Sequence, residues 1–96
     1  MKSFNKLTPA QIERLAILAE ECGETVQAAM KVIRRGFDRK HPRKRGPNNR
    51  AHLEDEIGNI LNAVEMLVTA GDVRQSKINE SLESKRERVK QYLYHN

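Results

Sequence analysis

Six residues carry the chemistry this chain offers most plainly: Glu20, Glu21 and Glu24, and then, after an intervening stretch, Asp55, Glu56 and Asn59. In an α-helix, positions i, i+3 and i+4 share one face, so each cluster aims oxygen ligands at one place. Oxygen donors in that arrangement suit a hard divalent cation such as Mg²⁺. Two such helices set face to face would make a carboxylate-lined metal pocket.

The plain alternative is a set of ordinary acids on solvated helix faces, and the neighbouring residues argue against it. At about 100° per residue, the apolar stripe of the first long helix runs through Ile12, Leu15, Ala19, Cys22, Val26, Ala29 and Ile33. Glu21 and Glu24 lie on roughly the opposite side, flanked there by Ile17 and Ala28, so this helix is expected to be covered on two sides. The second helix has Leu53, Ile57, Ile60, Leu61, Val64, Leu67 and Val68 as its expected core stripe, with Glu56, Asn59 and Ala63 along its edge. Packed acids without a partner are costly, which makes a bound cation the economical explanation.

Those helices must be positioned by a small domain. Ninety-six residues make one domain, 1–96, and a modest one for burying a core, so pairing with a second copy is a natural way to finish it. Few aromatics, three prolines and long helix-compatible runs point to an all-α fold. Cys22 sits on the apolar stripe and reads as a small buried residue, and a lone cysteine cannot staple the domain, which fits a reducing compartment. Lys6, Gln11 and Glu13 interrupt the N-terminus, so neither a secretory leader nor a membrane span is expected. The expected location is the cytoplasm, that of a host if the source is viral.

The formal net charge is +5, and its distribution matters more than its size. Between Arg34 and Arg50 there are eight Lys or Arg and one acid, Asp38, so this segment holds +7 and the rest of the chain sums to −2. With Gly36, Pro42, Gly46 and Pro47 it cannot be a continuous helix, and it reads as a basic loop over about 36–48. Thr8-Pro9 marks a helix start, and the first helix should run to about Arg35 and stop at Gly36, with room for a bend near Gly23. A second helix is expected from near Asn49 to about Ala70, ended by Gly71. A third should run from Val73 or Ser76 to Tyr94, with Ile78, Leu82, Val89 and Leu93 at core spacing. Lys85 falls on that stripe, where it either snorkels past the core or reaches toward phosphate.

The run Leu18-Ala19-Glu20-Glu21-Cys22-Gly23-Glu24, then Lys31 and Arg34 to Gly36, then Asn49-Arg50, Leu53 and Glu54-Asp55-Glu56-Ile57-Gly58-Asn59, resembles the MazG-like nucleoside triphosphate pyrophosphohydrolases. It is most similar to the short single-domain type common in bacteriophages and bacteria, over about residues 12 to 70. The resemblance implies an all-α helical bundle completed by oligomerisation, as a homodimer or homotetramer. It also implies Mg²⁺-dependent cleavage of a nucleoside triphosphate, ribo or deoxy, to the monophosphate and pyrophosphate, with Mn²⁺ as a second option. The family's E-x-x-E and E-x-x-D ligand set falls on Glu21, Glu24, Glu56 and Asn59. Asn59 departs from that pattern: it keeps a carbonyl oxygen but removes one negative charge, which weakens metal binding. Asp55 lies about 100° around the helix from Glu56 and cannot simply replace it. Glu20 matches the first Glu of the motif and could position or deprotonate the attacking water, alongside the catalytic carboxylates Glu21, Glu24 and Glu56.

The residues suit this chemistry independently. Phosphoanhydride hydrolysis needs charge neutralisation at the phosphate oxygens and a water held in line, which cations and a carboxylate base provide. Lys31, Arg34, Lys85 and Arg88 are the candidates for further positive charge around the phosphates. No P-loop pattern and no Ser/His/Asp constellation is evident, and His41, His52 and His95 show no metal-binding spacing with cysteine. The competing class is a small basic nucleic-acid or protein-binding module using the 34–50 segment, or a catalytically weakened relative. That class accounts for the basic run. It leaves the two carboxylate clusters, which would repel a phosphate backbone, unexplained.

Overall fold

The computed structural model describes residues 4–40 and 46–95, and among these the chain forms three α-helices and no strand. His41, Pro42, Arg43, Lys44 and Arg45, the middle of the expected basic loop, lie outside the described residues. None of the described helices is long and apolar enough to cross a membrane.

Helix α1 spans Pro9–Arg35. Its start is fixed by a reciprocal capping box: the Thr8 hydroxyl accepts from Gln11 N at 3.2 Å, and Gln11 Oε1 accepts from Thr8 N at 2.8 Å. Pro9 at the first helical position loses nothing by lacking an N–H. At the far end Gly36 takes φ 87°, open to glycine and strained for other residues, and its N–H donates to Val32 O at 2.7 Å. Helix α2 spans Asn49–Thr69 and starts with the Asn48 side chain accepting from Ala51 N at 2.9 Å. It ends in a Schellman turn: Gly71, at φ 81°, donates to Val68 O and Asp72 donates to Leu67 O.

Helices α1 and α2 form an antiparallel hairpin, because residues at the start of α1 meet the end of α2 and the reverse holds at the other end. Asn49 Nδ2 donates to Gly36 O at 3.0 Å, while its own N–H donates to Arg39 O at 2.8 Å. At the opposite end Asp72 accepts from Arg14 Nε at 2.6 Å and Nη2 at 3.2 Å, and from Gln11 Nε2 at 3.4 Å. Between these clamps the buried apolar residues are Ala28, Ala63 and Leu67.

The packing corrects the expected core. The face of α1 turned toward α2 carries Leu18, Glu21, Glu24, Thr25 and Ala28, whereas most of the apolar stripe expected to be core is open. Val26 is 64% and Ile33 74% exposed, Ile12 and Leu15 are also exposed, and so is Cys22. On α2, Ile57 and Leu61 of the expected core stripe are exposed while Glu56 is buried. Apolar periodicity located a face of α1, but the chain spends α2 on the opposite one.

Helix α3 spans Gln75–Val89 and stops short of the expected Tyr94. It buries no residue and barely touches the hairpin, so nothing apolar extends it past the turn in which Gln91 N donates to Arg88 O and Tyr92 N to Val89 O. The Cα radius of gyration, 16.9 Å, accordingly exceeds the roughly 12–13 Å of a compact chain of this length.

Because the Arg14 guanidinium hydrogen-bonds Asp72, it holds that carboxyl below its ordinary value despite partial burial. A lowered folded-state pKa gives stability that is fully present above the unfolded value, about 3.9, and lost as pH falls through the folded one. Asp72→Asn should therefore melt below the parent at pH 7, with the gap closing in strong acid; thermal melts followed by circular dichroism across pH check this. A gap independent of pH would mean that the ion pair contributes nothing.

Candidate metal centre

Midway along the hairpin, Glu21 and Glu24 from α1 meet Glu56 from α2, with one carboxylate oxygen of each lying within 4.8 Å of the others. The two α1 acids are neighbours because they are about one turn apart on one face. Glu56 reaches them because it lies on the buried line of α2, seven residues from Asn49 and seven from Ala63, and it is only 9% exposed. Thr25 joins the helices beside them: its hydroxyl donates to Glu21 O at 2.8 Å and lies 3.5 Å from Glu56 O.

Three carboxylates at this spacing repel one another. Glu24 registers it, its carboxyl held above the ordinary value first by a hydrogen bond to Glu56, then by the negative charges of Glu56 and Glu21, then by burial and Glu20. Glu21 Oε2 and Glu56 Oε2 are both buried and without a hydrogen-bond partner. Among the described residues no Lys or Arg pairs with any of the three. Orphaned, converging carboxylate oxygens are the donor set of a hard divalent cation, so the residues present fit such an ion.

The other expected site residues are placed less closely. Glu20 is exposed at the rim, near enough for its charge to be felt at Glu24. Asn59 is exposed, one turn beyond Glu56. Lys31 is half-buried, two turns along α1 from Glu24, and Arg34 is exposed. Lys85 and Arg88 are exposed on α3, and the chain by itself does not bring that helix onto the hairpin.

Two site neighbours were not singled out in the sequence, Thr25 and His52. His52 Nε2 lies 3.4 Å from Glu56 Oε1, one turn earlier on α2. The i, i+4 spacing from Glu56 is visible in the sequence, but it gains meaning only once Glu56 is known to be buried. Comparison with known proteins found no match to a family model, a curated protein or a solved structure.

A raised carboxyl pKa in the folded state stabilises only while the group is protonated, so its contribution is lost as pH rises from the unfolded value through the folded one. For the cation-free protein, Glu24→Gln should thus raise the melting temperature by a few degrees at pH 8 and by less toward pH 4. A variant that melts below the parent at pH 8 without metal would show that the carboxylate cluster is not strained.

Proposed function

We propose that the protein is a divalent-cation-dependent nucleoside triphosphate pyrophosphohydrolase that cleaves a ribo- or deoxynucleoside triphosphate to the monophosphate and pyrophosphate. The observation that carries this reading is the convergence of Glu21, Glu24 and Glu56 with two buried oxygens left unpartnered. The motif resemblance supports it by placing the same three residues in a metal-ligand set, with Mg²⁺ or Mn²⁺ as the ion.

In this reading Glu21, Glu24 and Glu56 hold the cation, which when bound supplies positive charge against the phosphate oxygens. Asn59, beside Glu56 at the open edge, adds a neutral oxygen. Glu20, being solvent-facing, orients a water and takes its proton as the water oxygen bonds to phosphorus and the α–β anhydride bond breaks. Lys31 and Arg34 lie along α1 on the approach to the cluster and draw in the polyphosphate. Lys85 and Arg88 contribute only if α3 docks on a second copy.

A second copy is part of the proposal because α1 and α2 leave Val26, Ile33 and Leu61 well exposed, together with Ile12, Leu15 and Ile57. An apolar stripe along the length of a helix is the kind of surface that homodimers and homotetramers bury. Light scattering should find a dimer or tetramer at micromolar concentration, and Val26→Glu combined with Ile33→Glu should shift it to monomer. A stable wild-type monomer would refute the assembly.

The activity is tested by incubating the purified protein with each canonical nucleoside triphosphate, ribo and deoxy, plus Mg²⁺ or Mn²⁺, and measuring monophosphate and pyrophosphate. Glu21→Gln should lower the rate by about a hundredfold or more, the scale of losing a group that stabilises developing charge. Undiminished turnover in that variant would remove Glu21 from the site. Salt-sensitive binding of nucleic acid, with no triphosphate cleaved under either metal, would favour the binding-module reading instead.

A further inference from the structure

We propose that His52 is a positioning residue for the cation site: its imidazole engages one oxygen of Glu56 and leaves the other, Oε2, as a single inward-facing ligand. This inference rests on the cation site argued above. Its ground is an asymmetry in one carboxylate. Glu56 Oε1 lies 3.4 Å from His52 Nε2, whereas Glu56 Oε2 is buried and has no hydrogen-bond partner.

The pairing follows from helix geometry. Side chains on a helix lean toward its N-terminus, so the Glu56 carboxylate lies over the turn that carries His52. At 100° per residue His52 stands about 40° to one side of Glu56, on the same flank as Asn59. The Glu56 side chain is 11% exposed and that of His52 35%, which places the ring at the edge of the interface with its nitrogen toward the carboxylate. Among the described residues His52 is the one nitrogen-bearing side chain paired with Glu56.

A glutamate with both oxygens unengaged can turn about its last bond and offer a cation one oxygen or two. An N–H of His52 brought onto Oε1 from its 3.4 Å position would restrict that rotation and leave the buried Oε2 for the ion. Partners of this kind behind a metal ligand typically contribute 10- to 100-fold in metal affinity. His52 thereby does for Glu56 what Thr25 does for the backbone beside it, fixing a donor before the ion arrives.

The test is Mn²⁺ binding to the full chain, followed by the electron paramagnetic resonance signal of free Mn²⁺, for the wild type, His52→Ala, His52→Leu and His52→Gln. Glutamine carries an amide nitrogen near the place of Nε2, while leucine fills space without a donor. Affinity should fall about tenfold or more in His52→Ala and His52→Leu and stay within about threefold of wild type in His52→Gln. Metal-free helicity, read by circular dichroism, should be the same in His52→Leu and His52→Gln. Wild-type affinity in His52→Leu overturns the proposal, and so does equal weakening in leucine and glutamine variants, which would mark shape rather than donation. If the wild type itself takes up no Mn²⁺, the cation site falls and this inference falls with it; normal wild-type uptake that is indifferent to His52 removes the inference alone.

Discussion

The molecule is organised around a conflict at the interface between α1 and α2: three carboxylates are held together where these two helices meet. Ionised together, Glu21, Glu24 and Glu56 would repel one another, and the Glu24 carboxyl is held above its ordinary value first by its hydrogen bond to Glu56 and then by the negative charges of Glu56 and Glu21. What keeps the helices closed is distributed along the hairpin. Ala28 and Ala63 are buried where small side chains let backbones approach, Leu67 supplies the largest buried apolar side chain, and the Arg14 pairing with Asp72 and Asn49 bonding to Gly36 clamp the two ends. So little buried apolar surface makes a weak hairpin by itself. A divalent ion between the carboxylates would turn the repulsion into attraction and couple its binding to hairpin closure.

The boundaries of α1 and α2 were legible in the sequence because local rules set them, whereas α3, with no cap of that kind at its end, stops at Val89. Thr8 and Pro9 open α1, Gly36 closes it and Gly71 closes α2, each through hydrogen bonds that involve only neighbouring residues. The facing of the helices was less legible. A stripe of Ile12, Leu15, Val26 and Ile33 says that a face of α1 is to be covered, not by what, and the chain turns its own α2 to the opposite, acidic side. The three-acid cluster could be read correctly all the same, because one-turn spacing brings the α1 acids together whichever face is inward. His52 required knowing that Glu56 is buried, for only a buried carboxylate makes the residue one turn earlier a partner of consequence.

The basic segment has a second property that its composition hid. Arg50 is committed where it stands: its guanidinium pairs with Asp38 at 2.6 Å and lies 5.0 Å from the centre of the Phe37 ring. Arg50 N also donates to Phe37 O, so the first residues after α1 are folded back onto the start of α2. The positive charge available to an anion there is therefore smaller than the count of basic residues suggests. Arg39 and Lys40 stand exposed beyond this staple, and long-range attraction from such residues speeds the encounter of an anion more than it holds one in place.

Asn59 fits the same balance of charge. The motif resemblance would put a fourth carboxylate there, one turn beyond Glu56 and on the flank where His52 stands. A carboxylate in that position would add negative charge beside the three acids in a hairpin with few buried apolar contacts to resist their repulsion. Asparagine keeps an oxygen for a cation and omits the charge, which favours closure of the cation-free hairpin and weakens the pull on the ion. His52 stands on that flank as well, with its Nε2 3.4 Å from Oε1 of Glu56. Against that motif, a cation held here would meet one ligand charge fewer at the open edge, while the carboxylate of Glu56 stays at the buried centre, where the surroundings screen least.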